Sequence, residues 1–174
     1  IPDIVRIAKD ANMSAIALTD HGNMHGAIEF YKACKKAGIK PIIGCEVYVA
    51  ERSRFDKEPG IDNKRYHLIL LARNLKGYKN LIKIVTKANL EGYYYKPRVD
   101  SDLLREHADG LVALSACMGG KLSKAVLAGN MDRARELVRE HQEIFGKENY
   151  FIEVQAHAHI ENDKLLRDKL KDLA

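Results

Sequence analysis

At 174 residues, with a formal net charge of +5 and a pI near 9.0, the chain has the size of one domain and a mildly electropositive surface that suits a polyanion. General scaling has a chain of this size bury roughly 70% of its unfolded surface, so a hydrophobic core is expected. The three cysteines, Cys34, Cys45 and Cys117, are odd in number and far apart, and no apolar run reaches membrane length; this excludes a disulfide scaffold and a membrane span, and predicts a reducing, cytoplasmic setting in which a lone thiol is by default a small buried hydrophobe.

Along the chain the apolar pattern alternates in kind. Residues 2–11 read as a helix with Pro2 in its first turn, and residues 15–19 as a short continuous apolar strand. Residues 24–37 place Ala27, Ile28, Tyr31, Cys34 and Ala37 on one helical face and stop at Gly38. IKPIIGCEVYVA (39–50) reads as the second strand, and residues 51–64, with Pro59, Gly60 and several basic side chains, as a long loop. YHLILLA (66–72) is the third strand; a helix at 75–90, the stretch GYYYKPRVD, a short helix at 101–107 and the strand GLVALSA (110–116) follow. Gly119 and Gly120 open the next helix. Asn130 caps a longer one, in which Met131, Ala134, Leu137, Val138, His141, Ile144 and Phe145 share a face. YFIEVQA (150–156) is the fifth strand, and a last helical pattern runs through Ile160, Leu165, Leu166, Leu170 and Leu173. Short apolar strands separated by helices imply a parallel sheet covered on both faces, either doubly wound or closed into a barrel. The first residue is not Met and the last helical pattern stops without a glycine, a proline or another strand, so a piece of a longer chain is expected.

In parallel α/β folds the chemistry gathers at the carboxyl ends of the strands, where loops are free to vary. Asp20 and His21, in ALTDHG (17–22), stand at such an end, although a plain turn with Asp20 capping the next helix also accounts for them. Glu46 lies inside the strand IIGCEVYV; a carboxylate in a strand covered on both faces needs a cation or donors, since burying even a neutral polar group costs on the order of 2 to 7 kcal/mol. A buried Arg or Lys would serve, and so would a metal. His67 in YHLILLA and Cys117 after VALSA complete the set. Four N, O and S ligands on or just after four successive strands would meet at one end of a barrel, and a borderline-soft ion such as zinc accepts that mixture. One detail fits poorly, since His67 falls at the start of its strand. Glu153 and His157, on and just after the fifth strand, are possible site-lining residues with Asp20. Basic and aromatic residues interleave in GYYYKPR, which reads either as a nucleic-acid contact or as tyrosines packing a loop beneath solvated Lys96 and Arg98.

The stretches AIALTDHGNMHGAIEFYKACKKAGIKPIIGCEVYVA, YHLILLARNLKGYKNLIKIVTKANLEGYYYKPRVD, LREHADGLVALSACMGGKL and FIEVQAH resemble the polymerase-and-histidinol-phosphatase (PHP) domain family, in the branch found at the amino end of bacterial replicative DNA polymerase III alpha subunits. TDHG alone points to the wider family; GYYYKPR and ALSACMGG, in this order, point to the polymerase branch. The resemblance implies an α/β fold, a distorted TIM-like (βα)7 barrel that is incomplete here because the His-x-His motif upstream and the Asp-x-His motif downstream are missing. It also implies a metal cluster to which His21, Glu46, His67 and Cys117 contribute, with zinc or manganese as the ion and magnesium reserved for a polymerase region that this chain does not carry. The implied activity is metal-dependent 3′-5′ exonuclease chemistry, proofreading by phosphodiester hydrolysis. Implied partners are DNA as primer-template, a proofreading subunit and a sliding clamp, with no membrane. A metal-free scaffold of the same polymerase and a free-standing phosphatase are the competing readings, and the polymerase-type motifs argue against the second.

Overall fold

A computed structural model of the chain describes residues 1–156 and 162–174. Helix α1 (Pro2–Asp10) opens on proline, whose missing N–H is no loss in a first turn. Strand β1 (Ala15–Leu18) leads to α2 (Ala27–Ala37), which ends on Gly38 in the left-handed region. Strands β2 (Lys40–Ala50) and β3 (Arg65–Ala72) are followed by α3 (Leu75–Leu90), capped by the Asn74 side chain, which accepts from the Gly77 N–H. A two-strand hairpin, β4 (Tyr93–Tyr94) and β5 (Lys96–Val99), precedes α4 (Ser101–His107), capped by Asp100. Then come β6 (Leu111–Leu114), α5 (Lys121–Leu127), α6 (Met131–Phe145) with its Asn130 cap, β7 (Tyr150–Phe151) and α7 (Asp163–Leu173).

These strands form one open α/β sheet in the order β4-β5-β2-β3-β6-β7, with β1 also on β2. The expected all-parallel sheet is corrected here. β1 and β5 run parallel to β2, and β7 to β6, but β3 is antiparallel to both β2 and β6. The cause lies in the connection: the 51–64 segment is a loop without a crossover helix, so the chain returns beside β2 in the opposite sense. The hairpin in GYYYKPRVD was not foreseen, and the fifth strand is shorter than the pattern suggested, ending at Phe151.

One sheet face, carrying Cys45, Val47, Val49, Leu68, Leu70 and Ala113, packs against Leu81 and Ile84 of α3, Leu103 and Leu104 of α4, and Phe145 of α6. Alternation along a strand sends Glu46, Tyr48 and His67 to the opposite face. Helix α2 buries Ala27, Phe30 and Cys34, while Ile28 and Tyr31, expected on the buried face, stay exposed and line an apolar surface cavity with Pro41 and Leu75. On α6 the expected face is the buried one, with Ala134, Leu137, His141, Ile144 and Phe145 inside. Among the described residues no helix is long and apolar enough to cross a membrane.

Candidate metal centre

Strand pairing alone brings the first three side chains together. Leu18 lies beside Ile43 in the parallel register, and the offset is unchanged past Thr19 and Asp20, where His21 bridges Glu46. The Glu46 N–H donates to the Asp20 carbonyl at 3.0 Å and the Gly22 N–H to the Glu46 carbonyl at 2.9 Å. Neighbours in register share a face, so His21 stands next to Glu46. Tyr48 follows on that face and lies opposite His67 in the antiparallel pair. The apparent misfit of His67 disappears with the corrected strand direction: because β3 runs against β2, its first residues lie at the end where β1, β2 and β6 finish.

The turn after β6 supplies the fourth group. Ser115 donates its N–H to Phe151 O at 3.0 Å, Ala116 takes a φ of 63° in the left-handed region, and the chain folds back so that the His67 N–H donates to Gly119 O at 3.1 Å. For a non-glycine residue that backbone costs about 1 to 2 kcal/mol, which the surrounding bonds must hold. A side chain at Gly119 would begin 3.0 Å from His67 Nδ1, and one at Gly120 would begin 2.3 Å from Ser115 O. The two glycines therefore let the turn lie directly on the imidazole. Cys117 Sγ accepts from the Gly119 N–H at 3.3 Å and sits 3.4 Å from His67 Nδ1.

Glu46 Oε1 is 2.5 Å from His67 Nδ1 and 3.4 Å from His21 Nε2, and one atom from each of these residues falls within 4.8 Å of the others. His67 Nδ1 thus meets both a carboxylate oxygen and a sulfur, but it can carry only one proton, so a hydrogen atom cannot serve both contacts. A cation among these atoms would serve all of them, and N, O and S donors together suit a borderline-soft divalent ion. Burial holds the His67 imidazole below its usual range; Glu46 opposes this, while His21, Arg65 and Lys124 add to it. The ring is therefore neutral at pH 7 and has a lone pair to offer. His21 is 57% exposed against 14% for Glu46, so the group opens to solvent on the His21 side. The residues present fit a metal.

The other expected residues are distributed differently. Asp20 makes no capping bond to α2; its carbonyl accepts from Glu46 N–H and, at 3.2 Å, from the Cys45 thiol. Cys45 is core, and burial pushes its thiol up to about 12. Glu153 donates its N–H to Ser115 Oγ at 2.8 Å and lines a small cavity with Cys117; its Oε1 accepts from Gln155 and its buried Oε2 has no hydrogen-bond partner among the described residues. His157 and His159 lie outside the described residues. His107 and His141 are buried, His141 stacked on Tyr150 at 4.9 Å with Nδ1–H donating to Leu137 O. Tyr48 was missed, although its position two residues after Glu46 on one strand was the available signal; its ring is 5.5 Å from that of His67. Arg98, read as solvated or nucleic-acid-facing, is fully buried and donates to the carbonyls of Gly92, Asp62, Arg54 and Asp56.

A family model described as the PHP domain matches residues 1–157. Curated relatives named DNA polymerase III subunit alpha include that of Treponema pallidum, 51% identical over 98% of this chain and 15% of its own length, and that of Borreliella burgdorferi, 46% identical over 98% and 15%. The Thermus aquaticus relative of the same name is 43% identical over 100% of this chain and 14% of its own length. The chain thus spans about 15% of the length of these relatives. Among solved structures, a candidate metal-dependent phosphoesterase from Bifidobacterium adolescentis aligns with a TM-score of 0.53 at 12% identity, covering 99% of this chain and 77% of that one. An amidohydrolase from Chromobacterium violaceum aligns at 0.56 and 16%, covering 98% and 76%. At such identities the likeness is one of fold.

Proposed function

Because this chain belongs to the PHP domain family, we propose that it is the PHP segment of a bacterial replicative DNA polymerase of the DNA polymerase III alpha type, and that it works as a metal-dependent 3′-5′ exonuclease in proofreading. Residues 1–174 would all be part of that one domain. DNA as primer-template is the substrate, a proofreading subunit and a sliding clamp are partners, and the setting is the cytoplasm.

The observation that carries this reading is the convergence of His21, Glu46 and His67 within 4.8 Å, with the Cys117 thiol against the His67 ring. His21, Glu46, His67 and Cys117 would hold the ion, zinc or manganese, and Asp20 and Glu153 would line the site. Bound there, a divalent ion supplies Lewis-acid assistance: it acidifies a water and neutralises phosphate oxygens. The protein's own part is positional. Glu46 orients both imidazoles through one oxygen, burial keeps His67 neutral, and the Gly119 N–H orients the sulfur. The exposed side at His21 leaves room for a phosphodiester to approach.

In the competing reading, a metal-free scaffold, His67 at 2.5 Å would be the partner of Glu46. Elemental analysis of freshly purified full-length protein separates the two. We expect stoichiometric zinc or manganese, and loss of both the metal and 3′ nucleotide release in Glu46→Ala, with nucleotide addition retained. Metal-free wild-type protein would decide for the scaffold.

A further inference from the structure

The loop and strand beside the centre hold two populations of basic side chains. Arg52 pairs with the buried Asp62 at 2.6 Å and with Glu58 at 3.0 Å; Arg54 pairs with Asp100 at 2.9 Å and Glu91 at 2.8 Å; Arg98 is enclosed by carbonyls. Lys64, Arg65, Lys96 and Lys124 have no ion-pair partner among the described residues. Three of these four wall one open cleft of about 500 Å³, with Asn63, Tyr66 and His67 completing it. The cleft shares His67 with the candidate metal centre, and the charges of Arg65 and Lys124 reach that imidazole. Its floor is fixed: the Tyr66 hydroxyl donates to Glu51 at 2.6 Å, and Lys121 lies 5.3 Å over the Tyr66 ring.

Cations without a carboxylate partner, from the end of the 51–64 loop, the start of β3 and helix α5, converge on a polar cleft that has no carboxylate in its wall, and Arg65 donates there to the Asn63 carbonyl at 3.1 Å. Its contents should therefore be anionic. At about 500 Å³ it is larger than a single phosphate group requires, and it continues directly from the centre instead of enclosing it. We propose that this cleft is a backbone-phosphate subsite for single-stranded nucleic acid, in which Arg65 and Lys124 hold the phosphate next to the one attacked and Lys64 the phosphate beyond it. The inference rests on the proposed phosphodiester chemistry of the adjoining centre and extends it. The substrate class is an oligonucleotide strand, not a small phosphate ester, because a small ester would fill the centre and leave these cations without a role.

The test uses full-length protein carrying Arg65→Ala and Lys124→Ala together, neither of which is a residue proposed to hold the metal. With a single-stranded oligonucleotide, we expect KM for 3′ nucleotide release to rise about tenfold with kcat nearly unchanged. The salt dependence of kcat/KM should flatten by about 0.7 log unit for each cation removed. Hydrolysis of bis(p-nitrophenyl) phosphate, which has no second phosphate, should be unaltered. Equal losses on both substrates, or no change on either, would overturn the subsite. An independent readout covers a wild type that releases nothing: an oligonucleotide with an azidophenacyl group on its penultimate 3′ phosphorothioate is photo-crosslinked to the Glu46→Ala protein. Crosslinks to residues 63–67 or 121–124 support the subsite even if the nuclease reading fails, and crosslinks confined to other regions reject it.

Discussion

The rim and the 51–64 loop lie at the same end of the sheet, and both are dense in charge, yet they treat it in opposite ways. In and against the loop the buried charges have partners: Asp62, wholly buried, accepts from Arg52, and Arg98 of β5 donates to four carbonyls, three of them in the loop. At the rim, two imidazoles, a carboxylate and a thiol crowd together with fewer protons than contacts, and the cations beside them have no counterion among the described residues. A region that closes its electrostatics internally fixes a shape. One that leaves them open is complementary to something outside. Substitutions should therefore separate the two regions, with rim changes costing activity and loop changes costing stability.

The sharpest contrast is expected from Glu46→Ala. A group that orients two ligands should cost at least about 100-fold in nucleotide release, while the thermal midpoint without metal stays level or rises, because a crowded polar cluster has been relieved. A large fall in that midpoint would break the contrast. Arg98→Met should do the reverse. Four carbonyls lose their donor in a buried setting, and we expect about 3 to 5 kcal/mol of lost stability by urea titration, with residual activity per folded molecule preserved. Cys117→Ala comes next: metal affinity should weaken about 10- to 100-fold in a competition titration with a chelator. Cys45→Ala, at a buried thiol that is absent from the ligand group, should leave affinity unchanged.

Much of the architecture was legible because it follows from local pattern. The helix at 75–90, the Asn130 cap and the buried face of α6 depend on spacing and capping chemistry that neighbours do not alter. The direction of β3 was not legible, since a strand's apolar alternation is the same whichever way it runs. That one unknown made His67 look misplaced, when in fact the antiparallel pairing delivers it to Glu46. Arg98 was misread for a related reason. A basic residue among tyrosines has the same sequence signature whether it faces solvent or closes a loop, and only the carbonyls of a segment some forty residues earlier in the chain decide the matter. His21, Glu46 and Cys117, which the structure brings together with His67, stood out in the sequence because polar residues at the ends of apolar strands are visible without any knowledge of register.

Acid should unlock the loop without help from the rim, and Asp100 is the group to follow. It caps α4 by accepting from the Leu103 N–H at 3.0 Å and also receives Arg54 through its backbone N–H and guanidinium. Burial alone would raise its carboxyl, but the N–H groups of Arg54 and Leu103 and the Arg54 charge outweigh burial and hold it below the usual range. A carboxyl depressed in the folded state stabilises fully above its unfolded value, about 3.9, and that stability is lost as pH falls from there through the folded value. Asp100→Asn keeps a capping oxygen but not the charge, so it should cost about 1 kcal/mol near pH 7. The gap between variant and wild type in urea midpoint should stay constant from pH 7 to about 5 and close below about 4. A gap that closed near pH 6.5 instead would assign the effect to a histidine, and would mean that the loop is coupled to the imidazoles and not closed on itself.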